Sequence, residues 1–260
     1  MSTISTIRSQ REGRIAIVTI ERPEVRNAVD GPTALALERA FVDFDADTSL
    51  DVAILTGAQG QFCAGADLKA IAEGFGDNAR ANPLHDDMTR TAPMGPTRLQ
   101  LRKPVIAAIE GHAVAGGLEL ALWCDLRVAA AGATFGVFCR RFGVPLVDGG
   151  TVRLPRLIGE SRALDLILTG RAVSAREAFE IGLVNRVAAN GCALDVALAL
   201  AREIAQHPQT CLRNDRASVK QQAGAPLREA MQREFEFGRA TLASGESAAG
   251  SQAFGRRTRS

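Results

Sequence analysis

Hydrophobic positions follow two alternating patterns over the first half of the chain. Short runs are rich in β-branched residues, and longer segments place apolar residues at helical spacing. The short runs predict strands, because β-branched side chains pack well on an extended backbone. We predict strands over residues 14–20, 51–56, 104–110 and 126–129. We predict helices over residues 32–45, 67–73 and 117–123. Strands that alternate with helices indicate an α/β fold.

The pattern changes after residue 160, where helical spacing predominates. We expect one helix to begin at Ser161. Ser174 and Glu177 have the spacing of a capping box, which predicts the start of another helix, and Gly182 is placed to end it. Two longer helices are predicted over residues 194–206 and 227–242.

A long segment over residues 74–100 is rich in glycine and proline and has little periodicity before Leu99. Its helix-breaking residues are Gly74, Gly76, Pro83, Pro93, Gly95 and Pro96. We expect a loop with at most a short helix. Loops of this length in compact domains often act as functional lids.

Composition narrows the classes of function. The chain has 260 residues and a formal net charge of +2, with 23% charged residues. This balance argues against a nucleic-acid partner that is bound through bulk charge. Basic residues gather only near the end, at Arg256, Arg257 and Arg259, where we expect a solvated tail.

Cysteine and histidine usage points to a reduced, metal-free protein. The five cysteines, at positions 63, 124, 139, 192 and 211, have no CxxC spacing, which favours reduced thiols and a cytoplasmic location. The histidines, at positions 85, 112 and 207, form no metal motif, so we expect no metal. No apolar run reaches the roughly 18 residues of a membrane span, so we expect no membrane partner.

The segment GHAVAGGLELALWCD, which follows the strand predicted over 104–110, carries the clearest chemical signal. Gly116 and Gly117 open an apolar helix that has one carboxylate, Glu119, in its first turn. Glycines at such a turn let backbone N–H groups face a ligand, with the positive end of the helix dipole behind them. A carboxylate beside these donors suits proton transfer next to a bound carbonyl. The alternative is a tight turn with a solvated glutamate.

A second small-residue turn, FCAGADLK, follows the strand predicted over 51–56. Asp67 is placed to cap the helix that begins there. Two such turns, each at the start of a helix, can place two N–H donors around one oxygen atom. That arrangement is an oxyanion hole.

With these two segments, in this order and at this separation, the chain resembles the crotonase, or enoyl-CoA hydratase/isomerase, family. The resemblance runs from about Gly13 to the C-terminus. It implies a spiral core of ββα units over residues 1–195, which holds the acyl-CoA site. It also implies a helical C-terminal region over 196–260 that builds homotrimers, often stacked as hexamers.

The resemblance assigns roles to individual residues. It implies that the N–H groups of Ala66 and Gly116 form the oxyanion hole for the thioester oxygen of an acyl-CoA, and that Glu119 is a general acid and base. Coenzyme A is then part of the substrate, and no separate cofactor is expected. For the coenzyme A portion it points to Arg22, Arg26, Ala64, Asp67, Leu68 and Lys69.

One position departs from the family pattern. Hydratases of the family have a second glutamate in a G-x-P-E segment, whereas this chain reads Gly136-Val137-Phe138-Cys139. Cys139 therefore stands at the position of the second glutamate, and a neutral thiol cannot deprotonate water as a carboxylate does. The alternative for Cys139 is a small buried residue with no chemical role.

Asp148 is a candidate replacement. It precedes Gly149 and Gly150 at the predicted start of a helix, and family members with other chemistries carry a functional aspartate at the matching position. The alternative is an aspartate that caps the helix from a turn. For the acyl pocket we consider Leu84, Met88 and Met94.

The resemblance favours hydration of a 2-enoyl-CoA. Double-bond isomerisation needs mainly one base and is an alternative, as is a thioester hydrolase or dehalogenase that uses Asp148. A non-catalytic acyl-CoA-binding protein is an alternative of another class. A dinucleotide-binding fold is disfavoured because no G-x-G-x-x-G follows the first predicted strand.

Overall fold

The computed structural model describes residues 6–74 and 78–257 and arranges them around two β-sheets. The strands, in chain order, are β1 (Ile7–Glu12), β2 (Ile15–Ile20), β3 (Val52–Gly57), β4 (Val105–Ile109), β5 (His112–Val114), β6 (Leu126–Ala130), β7 (Thr134–Gly136), β8 (Val173–Ser174) and β9 (Arg186–Ala188). The helices are α1 (Gly31–Ala46), α2 (Leu68–Ala72), α3 (Gly116–Trp123), α4 (Gly150–Ile158), α5 (Glu160–Thr169), α6 (Ala175–Glu180), α7 (Ala193–Ala205), α8 (Gln209–Gln221), α9 (Leu227–Ala243) and α10 (Glu246–Arg257). Single 3₁₀ turns lie at Pro23–Val25, Pro96–Arg98 and Phe138–Phe142.

The larger sheet has the strand order β1-β2-β3-β4-β6-β9, and the smaller one has the order β5-β7-β8. In the larger sheet β1 runs antiparallel to β2, and the other neighbours are parallel. After β4 the chain turns into β5 and then α3, and after β6 it turns into β7 and then, through a 3₁₀ turn, α4. These repeated ββα units wind as a spiral, which confirms the predicted α/β crotonase-like fold.

Both faces of the larger sheet are covered. Side chains of β2 alternate between two apolar clusters, with Val18 in one and Ile17 in the other. The cluster around Val18 includes residues of α1 and α3, and the cluster around Ile17 includes residues of α7. A parallel sheet packed on both faces needs near-continuous apolar strands, which explains the β-branched runs of the sequence.

The C-terminal region is helical, as the fold expectation required. The proposed domain boundary at residue 195 stays a prediction, and this residue lies within α7, which packs on the sheet. The helices that follow bury much less: α8 has no buried residue and α9 has only Thr241. The helices after α7 therefore add almost nothing to the apolar core, although ion pairs of Arg213 with Asp51 (2.7 Å) and of Arg216 with Asp125 (2.9 Å) join α8 to it.

Two predicted segments lie partly outside the described residues. In the 74–100 segment Gly76 falls outside them, and the described part is a loop that ends in the 3₁₀ turn at Pro96–Arg98. In the basic tail Arg256 is exposed and Arg259 lies outside the described residues. No helix within the described residues is long and apolar enough to cross a membrane.

Candidate active site

Two turns, one after β3 and one after β5, lie side by side. The N–H group of Cys63 donates to the carbonyl group of His112 at the start of β5 (2.8 Å). Gly65 has a φ of +100°, and a Cβ atom on it would lie 2.9 Å from the backbone nitrogen of Gly116. The fold therefore brings the turn that holds Ala66 directly against the turn that holds Gly116.

The backbone N–H groups of Ala66 and Gly116 are available to a ligand. Gly116 is the first residue of α3, and the first N–H groups of a helix have no acceptor within it. Within the described part of the chain, neither N–H group donates to a protein acceptor. Both residues line the same cavity. The two turns thus offer two hydrogen-bond donors to a molecule bound there.

The turn before Gly116 is strained. Ala115 has φ 54° and ψ −126°, a region that residues with a Cβ atom rarely adopt and that costs on the order of 1–3 kcal/mol. Its N–H group donates to the carbonyl group of Gly136 (2.9 Å), which holds this conformation in place. The strain orients the peptide whose N–H group belongs to Gly116.

Glu119 lies in the first turn of α3, is only 2% exposed and lines the cavity. Its Oε1 atom accepts hydrogen bonds from the N–H groups of Asp148 (2.9 Å) and Gly150 (2.8 Å). Burial, together with the nearby charge of Asp148, raises the pKa of Glu119 to about 7. Glu119 therefore exists in both protonation states near neutral pH. The alternative of a solvated glutamate is wrong.

Asp148 lines the same cavity and is 5% exposed. Its Oδ1 atom accepts hydrogen bonds from the N–H group of Met94 (3.0 Å) and from the hydroxyl group of Thr97. Burial raises the pKa of Asp148 above its ordinary value, although these hydrogen bonds oppose the shift. The helix cap at the start of α4 is Gly149, so the alternative of Asp148 as a side-chain cap is wrong.

Arg153 fixes the position of the Asp148 turn. Its guanidinium group donates to the carbonyl group of Asp148 (2.7 Å) and to that of Thr97 (2.6 Å). It thereby ties α4 to the 3₁₀ turn that ends the long loop. The positive charge lowers the pKa values of Glu119 and Asp148 and so opposes the effect of burial on both carboxylates.

Cys139 is buried in the 3₁₀ turn after β7 and also lines the cavity. Burial and the charge of Glu119 raise the pKa of its thiol. The thiol is therefore neutral at physiological pH and cannot act as the base that the family's second glutamate supplies.

The residues predicted for the coenzyme A portion fall into two groups. Arg22 is buried, and its guanidinium group forms ion pairs with Asp30 and Asp67 (3.0 Å each). Asp67 caps α2 by accepting from the N–H groups of Lys69 (3.0 Å) and Ala70 (3.4 Å), which confirms the predicted cap. These two charged side chains are engaged in organising the turn that carries Ala66.

The second group is accessible. Arg26 and Lys69 are exposed, and neither forms an ion pair within the described residues. Ala64 donates its N–H group to the carbonyl group of Arg26 (3.1 Å), so the two residues are adjacent. Leu68 is exposed and, like Ala64, lines the cavity. Their role in binding coenzyme A stays a prediction.

Sequence patterns did not identify Thr97 or Arg153. Both belong to the site through contacts that span more than 50 residues, and only a family-wide pattern at these positions could have revealed them. Of the acyl-pocket candidates, Leu84 and Met94 line the cavity, whereas Met88 is exposed and is not among the lining residues. No group of three or more metal-ligating side chains occurs in the described ranges.

Comparison with known proteins places this geometry in context. A family model described as enoyl-CoA hydratase/isomerase matches residues 10–259. Enoyl-CoA hydratase EchA19 of Mycobacterium tuberculosis is 36% identical over 252 residues, which are 94% of this chain and 91% of that protein. Carnitinyl-CoA dehydratase of Salmonella arizonae is 40% identical over 203 residues, 77% of this chain and 75% of that protein.

A solved structure gives the same result for the fold. The crystal structure of enoyl-CoA hydratase EchA1 from Mycobacterium marinum superimposes with a TM-score of 0.89 at 36% sequence identity. The match covers 97% of this chain and 96% of that chain.

Proposed function

The chain belongs to the enoyl-CoA hydratase/isomerase family, and we propose that Glu119 and Asp148 carry out its proton transfers in the hydration of 2-enoyl-CoA thioesters. The observation that carries this assignment is the meeting of two buried carboxylates and two free N–H donors in one cavity. Proton transfer at a carbon beside a carbonyl group needs a carboxyl group to carry the proton and N–H donors to hold the carbonyl oxygen. Both must lie within reach of the same substrate.

The N–H groups of Ala66 and Gly116 bind the thioester oxygen in this proposal. Addition of water to the double bond conjugated with the thioester passes through an enolate, in which negative charge gathers on that oxygen. Fixed N–H donors stabilise this charge, and the loss of one such donor typically costs about 3–4 kcal/mol. Because both donors belong to the backbone, no side-chain deletion removes them.

The carboxylates divide the proton transfers. The water oxygen bonds to the β carbon while one carboxylate takes a proton from the water, and the α carbon receives a proton from the other carboxyl group. Glu119 and Asp148 each commit one oxygen atom to protein donors. The second oxygen of each has no protein hydrogen-bond partner among the described residues and is left for this chemistry.

Asp148 takes over from the glutamate that Cys139 replaces. The raised pKa of the Cys139 thiol keeps it protonated, so it supplies neither base nor nucleophile. Asp148 lies in the same cavity and is held rigidly by Met94 and Thr97. A carboxylate in this place restores the acid–base pair that hydration requires.

The decisive experiment is turnover of crotonyl-CoA by the purified protein and by three variants. We expect Glu119→Gln and Asp148→Asn each to lower kcat by about 10²–10⁴-fold, the usual contribution of a positioned general acid or base. Cys139→Ala is the matched control and should stay within a few-fold of the native rate. Full activity of Asp148→Asn, or loss of activity in Cys139→Ala, would contradict the assignment.

The substitution at Cys139 also favours a second candidate, isomerisation of an enoyl-CoA double bond. Isomerisation moves one proton between two carbons and needs no water-activating partner, so Glu119 alone suffices. Incubation of a 3-enoyl-CoA in deuterated water separates the reactions. Formation of the 2-enoyl product without hydration identifies an isomerase, and both reactions should stop in Glu119→Gln. Binding without turnover that is unchanged in Glu119→Gln identifies the non-catalytic binder.

The remaining proposals concern assembly, location and coenzyme A. We propose a homotrimer, or a hexamer formed from two trimers, because the C-terminal helices leave apolar side chains exposed.

We propose a cytoplasmic location, supported by five cysteines that are all free thiols. Arg26 and Lys69 are proposed to meet the phosphate groups of coenzyme A, because both are exposed cations beside the turn that holds Ala66. No separate cofactor is proposed.

A further inference from the structure

Asn82 places an unpaired hydrogen-bond acceptor in the wall of the cavity. The residue lines the cavity and is only 5% exposed. Its Oδ1 atom is shielded from water and has no hydrogen-bond partner among the described residues. Buried polar atoms are rarely left unpaired, because no water then compensates for the missing hydrogen bond. An unpaired acceptor in the wall of a binding cavity therefore indicates a hydrogen-bond donor on the ligand.

The orientation of this amide group is fixed by its nitrogen atom. Asn82 Nδ2 donates hydrogen bonds to the carbonyl groups of Val29 (3.0 Å) and Pro93 (2.8 Å). The reversed amide would place Oδ1 against two carbonyl oxygen atoms, which have no hydrogen to donate. The atom that remains for a ligand is therefore Oδ1, in a side chain that is held by two separate segments of the chain.

The contacts of Asn82 place it beside the proposed position of the thioester. The carbonyl group of Val29, to which Asn82 donates, also accepts from the N–H group of Asp67 (2.9 Å). Val29 forms a β-bridge with Ala66, whose N–H group is proposed to bind the thioester oxygen. Only the backbone of Val29 therefore separates the amide group of Asn82 from the turn that holds this oxygen.

The donor that fits this position belongs to the thiol portion of the substrate. The reacting carbons must lie at Glu119 and Asp148, and a simple enoyl group has neither an N–H nor an O–H group. The segment that carries Asn82 packs on α2, where Asn78 Nδ2 donates to the carbonyl group of Ala70 (2.9 Å) and where Leu68 lines the cavity. Beyond its sulfur atom, a coenzyme A thioester continues through two CH₂ groups to an amide N–H group, which is its donor nearest to the thioester.

We propose that Asn82 Oδ1 accepts a hydrogen bond from this amide N–H group, the one nearest to the sulfur atom. The inference rests on the proposed function in taking a coenzyme A thioester as the ligand. The substrate completes the hydrogen bonding of Asn82, while Nδ2 keeps the acceptor in place relative to the turn of Ala66. Asn82 thereby fixes where the thioester lies along the cavity.

The test replaces one N–H group of the ligand by an oxygen atom of similar size. Butyryl-CoA, which lacks the reactive double bond, is compared with an analogue in which an ester replaces the amide nearest to the sulfur atom, called the near ester. In isothermal titration calorimetry the near ester should have an about tenfold higher Kd, because it loses the hydrogen bond and leaves Oδ1 unpaired. A second analogue with an ester at the farther amide is the ligand control, and its Kd relative to butyryl-CoA should not depend on Asn82.

Variants of two asparagines separate binding from support of the loop. Asn82→Ala and Asn82→Leu remove the acceptor, so the near ester should bind within about twofold of butyryl-CoA in both. Asn78→Ala is the matched control, because Asn78 Nδ2 also donates to two carbonyl groups, those of Ala70 (2.9 Å) and Gly74 (3.0 Å). Asn78 is not among the lining residues, so its loss weakens the attachment of the segment and should keep the native ratio of the two Kd values.

The outcomes decide the proposal without any measurement of turnover. Equal binding of butyryl-CoA and the near ester by the native protein would overturn it, even where a variant fails to fold. A native ratio that persists in Asn82→Ala, or that is lost in Asn78→Ala, would also overturn it, because the N–H group would then be bound or lost independently of Asn82. No binding of butyryl-CoA at all would overturn the proposed function, and this inference with it.

Discussion

At the residue scale, the site depends on carboxylates that the fold keeps out of water. One oxygen atom of Glu119 accepts hydrogen bonds from two N–H groups, which lower its pKa. Burial and the charge of Asp148 outweigh this effect and raise the pKa of Glu119 to about 7. The shift has a consequence for stability as well as for catalysis. A carboxyl group whose pKa is higher in the folded than in the unfolded protein binds its proton more tightly when folded.

The first prediction is that Glu119 makes stability fall as pH rises. Its folded pKa of about 7 exceeds the ordinary value of 4.5. Between these two values the folded state holds more protons than the unfolded state, so the free energy of unfolding decreases with pH in this window, by about 3 kcal/mol in total. Urea unfolding at pH 5 and pH 8 measures the decrease. Glu119→Gln should show a smaller decrease, and an equal one would contradict the prediction.

The second prediction concerns Thr97, which is 2% exposed and donates its hydroxyl hydrogen to Asp148. Thr97→Val removes this donor while keeping the side-chain volume, so the pKa of Asp148 should rise further. We expect kcat/KM at pH 7 to fall about tenfold, as loss of a hydrogen bond to a charged group predicts.

The pH profile distinguishes this role from a purely structural one. Glu119, Arg98 and Arg153 all influence the Asp148 site electrostatically and remain in the variant. In a plot of kcat/KM against pH, the acidic limb that reflects the pKa of Asp148 should move to higher pH in Thr97→Val. In Thr97→Ser, which restores the hydroxyl group, it should return to its native position. An equal decrease of kcat/KM at every pH would show that Thr97 only supports packing.

Local sequence patterns indicated the groups that we propose to react, but not the residues that hold them in place. Glu119, Ala66 and Gly116 belong to local turn patterns that are visible in a few consecutive residues. The contacts of Asp148 come from Thr97 and Met94, more than 50 positions away, and no local spacing reveals such a contact. For the same reason, the residues next to Asp148 in the chain suggest a helix cap, whereas the contacts of its side chain come from distant residues.

At the element scale, the predicted core strands and helices agree with the structure to within one or two residues. The strands predicted over 14–20, 51–56 and 104–110 correspond to β2, β3 and β4, because buried parallel strands consist of continuous apolar runs. β1 was missed because it is an edge strand with exposed polar residues from Arg8 to Arg11. α8 was missed because it has no fully buried residue and packs largely through polar side chains such as Arg213 and Arg216, so it shows no clear apolar periodicity.

The third prediction concerns the start of α4. A Cβ atom on Gly150 would lie 2.9 Å from Glu119 Oε1 and 3.1 Å from Leu146 Cδ1. Gly150→Ala must therefore displace Glu119 or the helix terminus, at a cost of about 1–3 kcal/mol in stability. We expect kcat for crotonyl-CoA to fall about tenfold or more, because a displaced acid transfers its proton poorly.

Gly250 provides the control for that substitution. It lies in α10, and nothing in the chain lies within 4 Å of a Cβ atom placed on it. Gly250→Ala should keep native activity and raise the free energy of unfolding by about 0.5–1 kcal/mol through its better helix propensity. Native activity in Gly150→Ala would show that the close approach of α4 to Glu119 does not matter.

At the scale of the whole molecule, the C-terminal helices are the part of the chain that the monomer explains least. α9 leaves Leu227, Met231 and Phe235 exposed at intervals of four residues, which places them along one face of the helix. Phe254 on α10 is also exposed. Apolar side chains in a row are costly in water, so this face is expected to be covered in an assembly.

The fourth prediction is that this face holds the oligomer together. Light scattering after size-exclusion chromatography should give the native protein a mass of three or six times 27.5 kDa. Phe235→Asp places a charge that would have to be desolvated in the interface, and it should shift the protein towards the single-chain mass. Glu236→Ala changes an exposed residue on a different side of α9 and should leave the mass unchanged. A monomeric native protein, or a Phe235→Asp variant with the native mass, would contradict the prediction, and then the exposed face of α9 would need another partner.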